Sequence, residues 1–145
     1  VIGGCGTGQG FLNGVLQFPG VVCGLIVEPL DAWLFSQING GNCVSLPLNK
    51  GYGWAGGINL EYIFEKLFAD PAGAGYPKER AKSQAMSRQT LAGILKLSHK
   101  DFTDILKASD PEILKAIAGS KDFMKVLADG GEKAKAVLQL LGENR

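Results

Sequence analysis

The sequence predicts an α+β fold in which helices dominate, with an all-α fold as the alternative. Two observations lead to this prediction. Most of the 21 glycines precede residue 60, and in that region short apolar stretches alternate with Gly, Pro and Asn, a pattern typical of short strands and turns. Regular helical spacing of apolar residues begins only near Ile58. The first half should therefore be irregular with short strands, and the second half helical.

A chain of 145 residues fits one compact domain, so we expect a single domain over residues 1–145. Residues 1–57 form its glycine-rich strand and loop segment. Residues 58–70 form an amphipathic helix, because apolar side chains recur there at helical spacing. Residues 71–78 contain two glycines and two prolines and form a linker, and residues 79–145 form an array of short helices.

Serine recurs every eleven residues in the second half, at Ser87, Ser98, Ser109 and Ser120, with Gly131 at the next position. We interpret this period, which starts at Ser87, as an internal repeat of short helices. A serine at the N-cap would accept a hydrogen bond from a backbone N–H that has no intrahelical partner. Helices this short do not stand alone, so they should pack on each other, on the first half, or on a partner.

Charge and composition exclude several classes of protein. The net charge of +1 gives no field that favours nucleic acid, and no apolar run is long enough to cross a bilayer. The three cysteines, Cys5, Cys23 and Cys43, form no CxxC pair, and His99 is the single histidine. We therefore predict no metal, no cofactor and no nucleic-acid partner.

Residues 1–10 read VIGGCGTGQG, which resembles the glycine-rich first motif of S-adenosylmethionine-dependent methyltransferases. In that family a strand runs into a turn whose backbone amides approach the cofactor, and an acidic residue after the next strand holds the ribose. The resemblance implies cofactor contacts at Gly4, Gly6 and Gly8 and a ribose contact at Glu28. The sequence departs from the family in having Ile2 where an acidic residue is usual, and in lacking an evident alternation of strands and helices.

The same segment also resembles the lipid-attachment signal of bacterial lipoproteins. Ile2, Gly3 and Gly4 precede Cys5 as the residues of a lipobox precede the modified cysteine. This resemblance implies lipidation of Cys5 and a place at a membrane surface.

A third motif, Gly41-Asn42-Cys43, resembles the turn before the nucleophile of ovarian-tumour-type deubiquitinases. The resemblance implies Cys43 as nucleophile and His99 as its base. Pro47 follows four residues later, however, where that family has a helix, and we therefore expect Cys43 to be a buried structural residue.

These observations favour a non-enzymatic structural or assembly protein without catalytic residues. It would act through apolar helix surfaces as a subunit of a larger complex, with protein partners or self-association. The two alternatives are a membrane-surface lipoprotein anchored at Cys5 and a methyltransferase fragment that binds S-adenosylmethionine. Localisation follows the same alternatives, a larger assembly or a membrane. The predicted interface residues are Phe102, Ile105, Ile113, Ile117, Phe123 and Leu127.

Overall fold

The structure is a computed structural model, and it describes residues 1–51 and 53–142. Residues 143–145, which end the predicted helical array, lie outside the described part. The chain divides into two compact units, Val1–His99 and Lys100–Arg145. The prediction of a single domain stays a prediction.

In residues 1–51 and 53–99 the first unit has three strands and four α-helices. In chain order they are β1 (Ile2–Cys5), α1 (Gln9–Val15), β2 (Cys23–Leu25), α2 (Pro29–Leu34) continued by a π-helical turn (Phe35–Asn39), β3 (Cys43–Pro47), α3 (Gly56–Phe68), a 3-10 turn (Lys78–Arg80) and α4 (Ala81–Ser98).

The strands form one parallel sheet in the order β1-β3-β2. Parallel neighbours cannot be joined by a tight hairpin, and here α1 and α2 provide the connections. The central strand β3 is buried along its whole length. Because all three strands are parallel, their carboxyl ends lie at the same edge of the sheet.

This architecture is α/β, so the predicted α+β, helix-dominated class and its all-α alternative are wrong. Strands and helices do alternate in the first half, but the strands have three to five residues and the first two helices have seven and six. Elements this short do not complete enough periods for a helix or strand pattern to emerge from the sequence.

The two glycines of β1, Gly3 and Gly4, have a structural role that the amino-acid composition does not reveal. A Cβ on Gly3 would stand 2.3 Å from Cζ of Phe11 on α1, and a Cβ on Gly4 would stand 2.3 Å from the Leu46 carbonyl oxygen. The glycines therefore let a helix and a neighbouring strand approach β1 closely.

The hydrophobic core of the first unit lies on one face of the sheet. Val44 and Leu46 of β3 point toward α2 and α3, where they meet Ala32 and Ile63, and Ile26 completes the buried cluster. Side chains alternate along a strand, so Cys43, Ser45 and Pro47 face the other side, toward α1. Both faces of the sheet are thus covered.

The segment between α3 and α4 is tied to the end of α2. Gly73 donates its N–H to the Ser36 carbonyl oxygen at 2.8 Å, and Gly75 donates to the Gln37 carbonyl oxygen at 3.0 Å. The Arg88 guanidinium donates to two further carbonyl oxygens, those of Ile38 at 2.7 Å and Gly73 at 2.9 Å. The segment is therefore an ordered connection.

Over residues 100–142 the second unit has four short helices around its own apolar core. They are α5 (Phe102–Lys107), α6 (Pro111–Ala118), α7 (Lys121–Ala128) and α8 (Glu132–Gly142). The core residues are Leu106, Leu114, Leu127, Val137 and Leu141.

The helical repeat capped by serines every eleven residues is wrong. Ser87 lies inside α4, where its hydroxyl donates to the Ser83 carbonyl oxygen at 3.1 Å. Asp101 and Asp110 cap α5 and α6, since the Asp101 carboxylate accepts from the Thr103 N–H at 3.0 Å and the Asp110 carboxylate accepts from the N–H of the second helical residue at 2.8 Å. The helices consequently do not begin at a constant interval.

Among residues 1–51 and 53–142, no helix combines the length and apolar character needed to cross a membrane.

Candidate functional site

The turn from β1 into α1, residues 6–10, is called the glycine loop here. Gly8 donates its N–H to the Cys5 carbonyl oxygen at 3.1 Å, and the buried Ser45 hydroxyl on β3 donates to the Gly8 carbonyl oxygen at 2.6 Å. Gly8 has a φ of +75°, and a Cβ there would stand 2.4 Å from Cδ1 of Leu25 at the end of β2. The loop is thus fixed against the carboxyl edge of the sheet, and its centre requires glycine.

Backbone N–H groups of this loop and of the first turn of α1 surround the Cys5 thiol. N–H groups in the first turn of a helix have no intrahelical acceptor, so they are free to bind an anion. The pKa of Cys5 lies below its ordinary value of 9.0, and a hydrogen bond from the Phe11 N–H is the largest cause. The N–H groups of Thr7, Gly10 and Gly8 also lower it, whereas desolvation raises it. Cys5 is partly exposed. The site therefore holds an accessible sulfur that favours the thiolate form.

The segment that follows β3 lies beside the glycine loop. Leu48 donates its N–H to the Cys5 carbonyl oxygen at 2.8 Å, and Asn49 donates its N–H to the Gly6 carbonyl oxygen at 2.9 Å. The Asn49 Nδ2 atom lies 3.1 Å from the position that a Cβ on Gly6 would take. An amide that can donate and accept hydrogen bonds is therefore held next to the loop, and the exposed Lys50 follows it in the chain.

The segment after β2 ends in a reciprocal helix cap. The Asp31 carboxylate accepts from the N–H groups of Val27 at 3.0 Å and Glu28 at 3.3 Å. The Glu28 carboxylate in turn accepts from the backbone at the start of α2. The Asn59 amide on α3 donates to the Val27 carbonyl oxygen at 3.2 Å. Both carboxylates are therefore used to begin α2.

The structure brings some of the predicted site residues together and separates others. Gly4 lies inside β1, and Gly6 and Gly8 lie in the glycine loop next to Cys5. Glu28 lies outside the loop, at the cap of α2.

The two residues of the predicted cysteine-hydrolase pair lie in different surroundings. Cys43 begins β3, is buried, and is the register partner of Cys23 on β2. His99 follows α4, and its Nδ1 lies 3.0 Å from the Ser98 hydroxyl.

The six predicted interface residues all belong to the second unit. Phe102 and Ile117 pack partly buried against its core, and Leu127 is a core residue. Ile113 and Phe123 are 57% and 41% exposed, and Ile105 is of intermediate exposure. Their role in an interface stays a prediction, as does association with protein partners.

In the described part of the chain, no three His, Cys, Asp or Glu side chains are grouped so that they could hold a metal ion.

Sequence reasoning missed the ionisable character of Cys5 and the position of Asn49. A signal for Cys5 exists in the sequence, because a cysteine that directly precedes a glycine-rich turn into a helix lies close to free backbone N–H groups. Asn49 has no comparable signal, since its approach to Gly6 depends on the pairing of β1 with β3.

No family model matches the sequence, and no curated protein matches it. Solved structures do, and two sugar isomerases are among them. One is a 4-deoxy-L-threo-5-hexosulose-uronate ketol-isomerase in complex with a tartrate, with a TM-score of 0.93 and 40% identity over 99% of this chain and 67% of that chain. The other is a ribose-5-phosphate isomerase from Vibrio parahaemolyticus, with a TM-score of 0.91 and 43% identity over 97% of this chain and 68% of that chain.

These matches overturn the predicted function, since both matched proteins are enzymes that isomerise sugars. The prediction of a non-enzymatic structural or assembly protein is wrong. The methyltransferase alternative is wrong as well, and Glu28, its expected ribose ligand, caps α2. The lipoprotein alternative is wrong for the same reason, since both matched proteins are sugar isomerases.

Proposed function

The chain belongs to the family of these two sugar isomerases, and we propose that it interconverts an open-chain aldose and ketose with the Cys5 thiolate as the proton-transferring base. The observation that supports Cys5 as the base is the set of backbone N–H groups that bond to its sulfur and lower the pKa of its thiol. Isomerisation requires removal of a proton from the carbon next to a carbonyl group. A base whose pKa lies near the working pH is suited to this step.

In the proposed reaction the Cys5 thiolate takes the proton from the carbon next to the carbonyl group. The electrons of that C–H bond form the carbon–carbon double bond of an enediol, while the carbonyl oxygen gains a proton. The Cys5 thiol then returns its proton to the former carbonyl carbon, and the neighbouring hydroxyl group loses its proton and becomes the new carbonyl. No electrons are gained or lost overall, so the reaction needs no external oxidant or reductant.

Two polar side chains beside Cys5 are candidates for holding the sugar oxygens. The Asn49 amide lies next to Gly6, and the exposed Thr7 hydroxyl lies in the glycine loop, where it accepts from the Gln9 N–H at 3.4 Å. An amide and a hydroxyl can each bind a carbonyl oxygen in one state and a hydroxyl group in the other. We infer that these two residues orient the substrate's adjacent oxygens.

The substrate class is proposed from the two relatives. The names of both describe sugars that carry a negative charge, a uronate in one case and a phosphate ester in the other. Lys50 directly follows Asn49 and supplies a positive charge on the segment beside the loop. An anionic sugar is therefore the proposed substrate.

The proposal is tested by following each of the two anionic sugars with the protein in D₂O by NMR. We expect conversion accompanied by deuterium at the carbon that receives the proton, because a thiol base exchanges its proton with solvent. Cys5→Ala should lower kcat by about 10²- to 10⁴-fold, the usual contribution of a general base.

Cys23→Ala is the matched control, since Cys23 lies at the opposite end of the sheet from the glycine loop. Equal conversion by the wild type and Cys5→Ala would overturn the role of Cys5. Conversion without solvent deuterium would overturn the proton-transfer route.

A further inference from the structure

Two cysteines outside the glycine loop lie side by side on neighbouring strands of the sheet. Cys23 begins β2, Cys43 begins β3, and the two are register partners in neighbouring parallel strands. Adjacent strands lie about 4.8 Å apart, which is within the roughly 4.4 to 6.8 Å between the Cα atoms of cysteines joined by a disulfide. Both cysteines are free. The backbone therefore holds two reduced thiols at a separation that a disulfide can bridge.

The two thiols are also near enough to affect ionisation. Burial is the largest cause that raises the pKa of Cys23 to about 12, and a hydrogen bond with the Cys43 side chain acts in the same direction. The exposures of the two residues differ, because Cys23 is partly exposed whereas Cys43 is 3% exposed. A small reagent can therefore reach Cys23, while Cys43 is reached from Cys23.

We propose that Cys23 and Cys43 form a dithiol modification site that low-molecular-weight disulfides oxidise to an intrachain disulfide. The minor thiolate form of Cys23 attacks one sulfur of the reagent and displaces the first small thiolate, which leaves a mixed disulfide. The Cys43 thiolate then attacks the Cys23 sulfur and displaces the second. The two protons of the protein thiols pass to the two released small thiolates, and the reagent's disulfide bond is the one reduced.

Cys5 cannot take part in this bond. It ends β1 as the register partner of Pro47, four residues along β3 from Cys43. At a rise of roughly 3.3 Å per residue the separation is about 13 Å, far beyond disulfide reach. The site is thus independent of the proposed catalytic residue.

The test begins with brief treatment of the native protein with iodoacetamide at neutral pH. This step alkylates Cys5, whose pKa is lowered, before Cys23 or Cys43. The protein then receives glutathione disulfide at mildly alkaline pH, is quenched with acid, and is unfolded and alkylated with a distinguishable reagent. We expect both remaining thiols to be lost, with no glutathione retained.

Peptide mapping locates the bond. Cleavage before Asp31 separates Cys23 from Cys43, and cleavage after Phe11 separates Cys23 from Cys5. The expected product joins the peptides that contain Cys23 and Cys43 and releases them on reduction.

Two variants complete the experiment, each checked for folding by circular dichroism. Cys43→Ala should stop at a stable glutathione adduct on Cys23, and Cys23→Ser should leave Cys43 reduced in the native state. A persistent glutathione adduct on Cys23 of the unsubstituted protein would overturn the proposal. So would two thiols that stay reduced in the folded protein while the unfolded chain is oxidised under the same conditions.

Discussion

Replacement of Gly8 by alanine should destabilise the first unit by about 2 to 5 kcal/mol. Gly8 has a φ of +75°, which costs a residue with a Cβ roughly 1–2 kcal/mol. The new Cβ would also stand 2.4 Å from Cδ1 of Leu25 and 3.2 Å from the backbone nitrogen of Pro47, and relief of such contacts in a packed region costs about 1–3 kcal/mol. The predicted loss is the sum of these two effects.

Urea unfolding followed by tryptophan fluorescence measures this loss. Both tryptophans, Trp33 and Trp54, belong to the first unit, so the signal does not mix the two units. Gly14→Ala is the matched control, because Gly14 lies in α1 with nothing within 4 Å of its added Cβ. That control should gain about 0.5–1 kcal/mol, since alanine is the better helix residue.

A double-mutant cycle separates the two causes. Leu25→Ala removes the nearest of the atoms that the new Cβ would meet, so the cost of Gly8→Ala should be smaller in that background. An equal cost in both backgrounds would refute the contribution of the Leu25 contact. A Gly8→Ala protein as stable as the wild type would refute both parts.

Three further predictions concern the site and the helix caps. Ser45→Ala removes a buried hydrogen bond to the glycine loop. It should therefore destabilise the first unit by about 1 kcal/mol in urea unfolding and raise the pKa of Cys5 measured by alkylation. Unchanged alkylation would show that the bond does not position the loop. The pKa of Cys23 is about 12 in the folded protein, whereas its ordinary value is 9.0. Between these two values the folded state binds more protons than the unfolded state, so the stability measured by urea unfolding should fall as the pH rises from 9 toward 12. Cys23→Ala should remove this fall. Asp110→Ala should destabilise the second unit by about 1 kcal/mol in thermal unfolding followed by circular dichroism, whereas Ser109→Ala, which removes no cap, should cost less; equal costs would contradict the assignment of the cap.

The sequence predicts local features of this fold better than its class. Pro111 is suited to the first turn of a helix, and α6 does begin there. The class depends instead on which strands pair, and the pairing of β1 with β3 joins residues more than forty positions apart. The glycine-rich sequence of Ile2–Cys5 does not have the pattern of a strand. Its glycines are needed because Phe11 and Leu46, which lie elsewhere in the chain, pack closely against them.

The candidate site follows the same rule. Cys5 and the glycine loop are adjacent in sequence, so a close reading of the turn can place backbone N–H groups around the thiol. Asn49 reaches the loop through strand pairing. The serine period, by contrast, misled because serine and aspartate are both good N-caps, and the adjacent Asp110 takes the position that Ser109 was expected to fill.

The glycine loop also explains why one sequence motif fits two kinds of chemistry. A strand that runs through a glycine-rich turn into a helix presents several backbone N–H groups at one point, and these groups stabilise whichever anion lies there. In a cofactor-binding protein the anion belongs to the ligand. Here the donors converge on the Cys5 sulfur, which belongs to the chain itself. The residue between Gly4 and Gly6 therefore separates the two interpretations. A cysteine at this position is favoured as a thiolate by the N–H groups, as the proposed reaction requires, and the pH dependence of its alkylation measures that effect directly.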